Sequence, residues 1–196
     1  MRAEDRPEVL AVAARAFWSD PLFDFFARDL MHEYKLLPVM MSAYLKELES
    51  QPGERLVGEV DGQPRAFAGW VAPDGIDRSR AAEARRGLRM IPAVARAKHS
   101  LKAIRLFLEV DKRHPREPHW YLSLLVTDPS AQGRGIGTRL IAPVLERCDV
   151  DGHFAYLETQ KESNVAWYAR SGFEVVDDVR LKGTPPVWLL RRDPRA

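Results

Sequence analysis

The sequence predicts a single α/β domain, and three observations support this fold class. The chain has 196 residues, which is enough to bury one substantial core. Short β-type runs alternate with amphipathic helical segments over most of that length. In the second half of the chain, a glycine-rich loop joins an apolar strand to a helix, an arrangement that suits an anionic ligand.

Periodicity and turn signals place the individual elements. The tetrapeptide Asp61-Gly62-Gln63-Pro64 separates two β-type runs and predicts a hairpin. We predict an aromatic loop at residues 17–26 and a proline-rich connector at residues 109–119. The predicted helices lie at residues 4–17, 38–50 and 76–108, with one more after the glycine loop (136–148) and another that carries Asn164 and Tyr168. The predicted strands lie at 55–60, 65–71, 120–127, 154–159, 174–179 and 187–191.

Composition excludes several classes of protein. The chain contains 45% hydrophobic and 30% charged residues, as globular proteins do. Its single cysteine excludes an internal disulfide and fits a reducing compartment. No apolar run approaches the roughly 20 residues of a membrane span, and the first seven residues are too charged for a signal peptide. We therefore predict a cytoplasmic protein with no membrane partner.

The segment Gln132-Gly133-Arg134-Gly135-Ile136-Gly137-Thr138 is the strongest local motif. Glycines leave backbone N–H groups bare, and the following helix adds a positive dipole, so the segment predicts a phosphate cradle. The spacing lacks the Lys-Ser/Thr of a P-loop. It also lacks a third glycine at the position that a dinucleotide fingerprint requires.

The remaining pattern, Gln-x-x-Gly-x-Gly after Asp128-Pro129, resembles the pyrophosphate motif of the GNAT superfamily (GCN5-related N-acetyltransferases), which binds acetyl-CoA. Asn164, Tyr168 and Gly172-Phe173 follow in the order typical of that family. Within it, the chain looks similar to the puromycin N-acetyltransferase type of small-molecule acetyltransferase. The shared pieces are the run from Glu117 to Leu122, Pro129 with Gln132-Gly133, Leu157-Glu158-Thr159, Asn164 with Tyr168, and the Ala16-Phe17 and Asp20-Pro21 region.

The resemblance implies a central mixed, mostly antiparallel sheet that splays and is flanked by helices. It also implies one N-acetyltransferase domain at residues 1–196. Residues 1–115, with the helical insertion 76–108, would form the acceptor side, and residues 116–196 the acetyl-CoA-binding half. The family usually opens with a strand, whereas this chain begins almost at its first helix, so the usual first strand is predicted to be missing.

The resemblance assigns acetyl-CoA as co-substrate and implies a set of binding residues. The glycine loop would hold the pyrophosphate, and the end of the strand before it would pair with the pantetheine through its backbone. Asn164 and Tyr168 share a helical face. The implied cofactor-binding residues are Leu125, Val126, Thr127, Gln132, Gly133, Arg134, Gly135, Ile136, Gly137, Thr138, Asn164 and Tyr168.

For catalysis, the resemblance places Tyr168 beside the sulfur, where a phenol can protonate a thiolate. Glu158 is the candidate general base, with a purely structural hydrogen-bonding role as its alternative. Glu109, Asp111, His114 and His119 would lie where relatives place substrate contacts. We expect Cys148 to be a buried, inert thiol. The histidines show no metal-ligand spacing, so no metal site is predicted.

The function implied is acetyl transfer to a primary amine of a small molecule, by direct attack in a ternary complex. The alternatives are acetylation of a protein N-terminus or lysine, and a non-catalytic module that binds acyl-CoA. The acceptor pocket is expected from the aromatic and acidic residues of the N-terminal half. A homodimer is plausible for this family.

A basic stretch stands apart from these motifs. Between Arg78 and Arg105 there are nine Lys/Arg and one acid. We interpret it as a solvated helical face, with an acidic partner or the CoA 3′-phosphate as alternatives. The net charge is only +2 and no aromatic residues interleave the basic ones, so nucleic acid is not an expected partner.

Overall fold

The computed structural model describes residues 1–18, 20–75 and 98–195. Most of the predicted insertion 76–108 and of its basic stretch lies outside the described residues. No helix in the described part has the length and apolar character needed to cross a membrane. The described elements are α1 (Arg6–Ala16), α2 (Pro21–Phe26), α3 (Leu30–Glu49), β1 (Arg55–Val60), β2 (Gln63–Val71), α4 (Ser100–Arg113), β3 (Trp120–Thr127), α5 (Ile136–Asp151), β4 (Ala155–Thr159), α6 (Glu162–Ala169), β5 (Glu174–Val179) and β6 (Val187–Arg192).

One open, mixed sheet of six strands organises the molecule, in the order β1-β2-β3-β4-β6-β5. All neighbours are antiparallel except β3 and β4, which are parallel. This confirms the predicted fold class, and the predicted hairpin is β1–β2. Helices α1 and α3 cover one face of the sheet, while α5 and α6 cover the other.

The N-terminal half is more helical than the sequence indicated. Helix α3 begins at Leu30, not at residue 38, because the side chain of Asp29 caps it by accepting from the backbone N–H of His32 at 2.8 Å. Pro38 lies inside this helix. The predicted loop at residues 17–26 contains α2, capped by Asp20, and α4 extends to Arg113 into the predicted connector.

No strand precedes α1 among the described residues, as predicted, and β1 is therefore an edge strand. The N-terminal segment lies against that edge. The Met1 ammonium donates to the carbonyl oxygen of Arg55 at 2.6 Å, and the Arg2 guanidinium pairs with Glu59 at 3.0 Å. These contacts occupy part of an edge that would otherwise offer free backbone groups to another chain.

A β-bulge in β3 moves its side chains from one face of the sheet to the other. Gly69 pairs with Leu124 and Trp70 with Leu122, so Ser123 has no ladder partner in β2. Before the bulge, Leu122 packs on the α5 face, and after it Leu124 packs on the face of α1 and α3. Side chains of this one strand therefore pack in two cores, and the carbonyl oxygen of Ser123 accepts a hydrogen bond from the hydroxyl of Tyr44 at 2.8 Å.

The last strand is tied to the end of α5 by an ion pair. The buried guanidinium of Arg192 donates to both carboxylate oxygens of Asp149 at 2.8 Å, and its Nε donates to the carbonyl oxygen of Ser171. These bonds lower the pKa of Asp149 from 3.8 to about 2. Because the folded-state value lies below the unfolded one, the stabilisation is present above about pH 4 and is lost as the pH falls toward 2.

We predict that Asp149→Asn lowers the free energy of unfolding by about 3 kcal/mol at pH 7, because it leaves a buried guanidinium without its anion. Urea unfolding at pH 7 and pH 3 measures the loss, which should shrink at the lower pH. Asp193→Asn is the matched control, since it breaks the exposed pair with Arg191 and should cost less than about 1 kcal/mol. Equal effects of the two substitutions would contradict the assignment.

Candidate active site

A cleft opens in the middle of the sheet where β3 and β4 separate. The two strands pair only at Trp120 with Ala155 and at Tyr121 with Tyr156. Beyond these pairs, the facing edges of both strands have no ladder partner in the other strand. β3 remains paired to β2 as far as Thr127, and β4 to β6 as far as Thr159. The predicted pantetheine-binding residues Leu125, Val126 and Thr127 lie on the open edge of β3.

The glycine loop closes one end of this cleft and leads into α5. Gly133 and Gly135 have φ angles of 75° and 69°, in the left-handed region that other residues adopt only with strain. The side-chain amide of Gln132 donates to the carbonyl oxygen of Thr127 at 3.1 Å and fastens the loop to the end of β3. These glycines are therefore required by backbone geometry.

The N-terminus of α5 presents backbone donors at this point. Its cap is Gly135, which has no side chain to occupy the first N–H groups, and its first turn contains no acid. Ile136 and Gly137 are buried, whereas Arg134 and Thr138 are exposed. Such an end of a 16-residue helix fits a pyrophosphate.

The buried carboxylate of Asp128, which we did not predict as a site residue, holds the segment just before the glycine loop in place. Asp128 Oδ1 accepts from the backbone N–H of Ser130 at 3.0 Å and from its hydroxyl at 2.6 Å. Asp128 Oδ2 pairs with Arg15 of α1 at 2.7 Å. These bonds to Ser130 and Arg15 keep the pKa of Asp128 below its usual value despite the opposing effect of burial. The loop is thus fixed to the helix at the start of the chain.

We predict that Gly133→Ala raises the Kd for acetyl-CoA about 10-fold. In the free protein an alanine would move out of the left-handed region, which is roughly 1–2 kcal/mol less favourable for it, and ligand binding would have to restore that conformation. Gly62 is the matched control. It has a φ of 72°, and a β-carbon at either glycine would meet no atom within 4 Å. Isothermal titration should show weaker binding for Gly133→Ala alone. Equal Kd values for the two variants would contradict the assignment of the glycine loop as the phosphate-binding site.

Helix α6 packs directly against the start of α5. A β-carbon on Gly137 would lie 3.3 Å from the indole of Trp167 and 3.7 Å from Thr127 Oγ1, so a larger residue there would press on the indole. Asn164, in the first half of α6, donates from its amide nitrogen to Thr159 Oγ1 at 3.1 Å. Its side-chain oxygen and its second amide N–H are left for other contacts. The end of β3, the loop and α6 therefore meet at one place.

Tyr168 lies on the α5 face of the sheet, among Leu157, Phe173 and Leu190. It is only 8% exposed, and its hydroxyl makes no hydrogen bond with any of the described residues. Burial raises the pKa of this phenol above its usual value. The side chain is therefore a neutral proton donor throughout the working pH range.

Glu158 lies on the opposite face, which it shares with Tyr156 because the two are separated by one residue on β4. Its side chain is 9% exposed. Glu158 Oε2 accepts from the hydroxyl of Tyr121 at 2.7 Å, and Glu158 Oε1 lies 3.0 Å from His114 Nδ1. Tyr121 is a partner that sequence reasoning missed, because its position beside Tyr156 is known only from the pairing of β3 with β4.

Several of the other candidates have structural roles. Glu109 is paired with Lys112 and Arg113 on α4, so it is not available to an ammonium group. Phe23, Phe26 and Trp70 are core residues. Cys148 is buried and its pKa is raised to about 12 by burial, which confirms an inert thiol. Within the described ranges, no group of side chains could hold a metal ion.

The phenol of Tyr168 and the carboxylate of Glu158 are the kinds of group that a transfer to a base-activated nucleophile needs. The phenol of Tyr168 lies on the face of the sheet that α5 covers, and the carboxylate of Glu158 lies on the other face. The two groups therefore differ in role: one can donate a proton and the other can accept one. The open edges of β3 and β4 between them can pair with an extended ligand.

Comparisons with known proteins identify the family and the fold. A family model, the acetyltransferase (GNAT) family, matches residues 15–173. Histone acetyltransferase HPA2 and related acetyltransferase from Corynebacterium glutamicum is 21% identical, with a TM-score of 0.73 over 100% of this chain and 94% of that one. Drosophila melanogaster polyamine N-acetyltransferase is 15% identical, with a TM-score of 0.58 over 98% and 97%. Ribosomal-protein-S18-alanine N-acetyltransferase from Escherichia coli is 14% identical, with a TM-score of 0.55 over 100% and 92%.

The three structures share the fold, and the family model extends from α1, through the glycine loop, to the Gly-Phe pair after α6. That span contains the open edges of β3 and β4, the cradle and both candidate catalytic groups. The chain therefore belongs to the GNAT family of acetyltransferases and is a transferase enzyme.

Proposed function

We propose that this chain transfers an acetyl group from acetyl-CoA to a primary amine of a small molecule, by direct attack in a ternary complex. The observation that supports the proposal is that Tyr168 and Glu158 lie on opposite faces of the sheet in which β3 and β4 separate, with Tyr168 on the face covered by α5. Direct transfer requires both groups to reach the same reacting centre, one for the leaving sulfur and one for the amine.

The residues around the cleft fit acetyl-CoA. Its pyrophosphate would lie on the N–H groups of Gly133 to Thr138, with Arg134 supplying charge, and its pantetheine would lie along Leu125, Val126 and Thr127. The left-handed glycines and the uncapped start of α5 favour an anion there. Acetyl-CoA would supply the activated thioester and a leaving group that needs a proton.

The side chains divide the proton transfers between them. Glu158 accepts a proton from the ammonium form of the acceptor, which leaves a neutral amine able to attack. Tyr168 donates its phenol proton to the departing sulfur, which suits a group whose burial keeps it protonated. Burial of Cys148 within α5 places the only thiol of the chain in the core, so an acetyl-cysteine has no part in the route.

The side chains around Glu158 limit the size of the amine that can reach it. Glu158 is covered by Tyr121, Tyr156 and His114, so an acceptor must reach it with a slender amine. Members of the family act on small-molecule or peptide amines. The small-molecule class is our proposal because the sequence resembles the puromycin N-acetyltransferase type.

The test is a thiol-release assay with acetyl-CoA and a panel of alkyl polyamines, aromatic amines, aminonucleosides and peptides with free N-termini. We expect release that depends on a small primary amine, with the acetylated amine detected by mass spectrometry. Release with peptides alone would place the acceptor in the protein class. Acetyl-CoA binding without release for any amine would indicate a non-catalytic module.

A further inference from the structure

A continuous chain of close polar contacts leads away from Glu158 through two histidines. Glu158 Oε1 lies 3.0 Å from His114 Nδ1, and His114 Nε2 lies 3.1 Å from His119 Nε2. His119 Nδ1 lies 2.7 Å from the carbonyl oxygen of Glu117. His119 is completely buried, whereas the side chain of His114 is 12% exposed.

The chemistry of these atoms fixes the tautomers. A carbonyl oxygen only accepts, so His119 Nδ1 carries a proton and donates it to Glu117. A neutral His119 then presents a lone pair at Nε2, and the proton of the 3.1 Å contact belongs to His114 Nε2. Neutral His114 is left with a lone pair at Nδ1 that faces the carboxylate of Glu158 at 3.0 Å. The three contacts along this chain need one proton each. A carboxylate and two neutral imidazoles supply only two, so a hydrogen bond between His114 and Glu158 requires one additional proton.

The additional proton belongs to the contact between Glu158 and His114. On His119 it would create a cation between the rings of Phe154 and Tyr156, at 5.0 and 5.6 Å. Between Glu158 and His114 it lies on a bond that joins an imidazole to a carboxylate. A buried charge costs least when its counter-ion is its hydrogen-bond partner.

We propose that Glu158 and His114 act together as one proton-sharing base, and that His119 is a positioning residue that fixes the tautomer of His114. This inference rests on the proposed function, because the proton that the pair takes is that of the acceptor ammonium. The N–H bond of the ammonium breaks, the amine keeps the electron pair, and the proton restores the hydrogen bond between Glu158 and His114. His114, which reaches solvent, then releases it.

The shared proton makes the pair a stronger base than an isolated carboxylate. When the shared proton has left, Glu158 Oε1 and His114 Nδ1 face each other at 3.0 Å and both can only accept. Taking up a proton then restores a charge-assisted hydrogen bond between them. A lone glutamate loses its proton near pH 4.3, and it is then a weak base for an ammonium. Uptake of the acceptor's proton by the pair therefore gains a hydrogen bond that a lone carboxylate would not gain.

The surrounding groups do not titrate in place of the pair. Tyr121 of β3, Tyr156 of β4 and Tyr44 of α3 all interact with Glu158, and burial raises the pKa of each phenol, so all three remain neutral near pH 7. On the outer side, Asp177 of β5 is paired with Arg113 of α4, and the guanidinium of Arg191 of β6 lies over the ring of Phe154.

The first test needs no activity. Long-range ¹H–¹⁵N spectra of the histidine-labelled protein should show His119 in the Nδ1–H form and His114 protonated at Nε2. The titration of His114 Nδ1 should change in Glu158→Gln. An Nε2–H tautomer for His119, or a His114 titration that is identical in the wild type and in Glu158→Gln, would overturn the proposal.

The second test is the pH profile of kcat/KM for the acceptor. His114→Gln should move the acid limb to lower pH and reduce the plateau about 10-fold. His119→Phe keeps a ring stacked on Phe154 and should move the limb in the same direction. His153→Gln, at the other end of β4, is the control and should match the wild type. A loss that is equal at every pH in His114→Gln would overturn the proposal.

Absence of acetyl transfer by the wild type, with the expected tautomers, would refute the proposed function and leave the proton-sharing pair established.

Discussion

Replacing Tyr168 by phenylalanine is expected to lower kcat for acetyl transfer about 10²-fold, with little change in the Kd for acetyl-CoA. The phenol is the proposed donor to the departing sulfur, and phenylalanine removes its proton while keeping the ring among Leu157, Phe173 and Leu190. The hydroxyl makes no hydrogen bond with any described residue, so the fold loses nothing. Single-turnover rates and calorimetric binding measure the two effects separately.

The matched control is Tyr34→Phe, which removes a phenol from an exposed position on α3 that, among the described aromatic residues, touches only Trp18. Its kcat should equal that of the wild type. Unchanged turnover in Tyr168→Phe would contradict the acid assignment. A large rise in the Kd for acetyl-CoA at constant kcat would instead make Tyr168 a binding residue.

Glu158→Gln is expected to lower kcat/KM for the acceptor about 10²-fold without lowering stability. The amide of glutamine can accept from the Tyr121 hydroxyl and donate to His114 Nδ1, so both contacts of Glu158 keep a partner. The variant therefore loses basicity and retains the hydrogen-bonded frame. Initial rates with saturating acetyl-CoA measure the first effect, and urea unfolding measures the second.

Glu162→Gln serves as the control, because Glu162 is exposed at the start of α6 and should be neutral in both assays. If Glu158→Gln retained full activity, the amine would lose its proton to another group. If it lost activity together with several kcal/mol of stability, Glu158 would have the structural role that was its alternative in the sequence.

Local signals in the sequence predicted the sheet well, because each strand has a pattern of its own. Residues 120–127 form β3 as predicted, and the apolar alternation is visible although the bulge at Ser123 moves the side chains between faces. Helix α3 was predicted eight residues too short because Pro38 was taken as its start. Pro38 cannot bond to the carbonyl of Tyr34, but Tyr34 is exposed, so solvent can satisfy that group. Helix α2 had a signal that we did not use, since Asp20-Pro21 is a cap followed by proline at the first helical position.

The candidate site was predictable where its residues are close in sequence. The glycine loop follows from spacing alone, because the backbone conformation at Gly133 and Gly135 is a local property. The partners of Glu158 and Asp128 were not predictable, since His114, Tyr121 and Arg15 are 44, 37 and 113 residues away from them. Those contacts exist only after the sheet has assembled. The predicted domain limits, the binding roles of the loop residues, the cytoplasmic location and a homodimer stay predictions.

The central claim is that the acetyl group passes directly from acetyl-CoA to an amine held in the same cleft. Initial rates with acetyl-CoA varied at several fixed concentrations of the best amine from the panel test this most directly. The account predicts double-reciprocal lines that intersect, with acetylated amine formed in the same amount as free thiol. Parallel lines, or thiol release without acetylated amine, would contradict it.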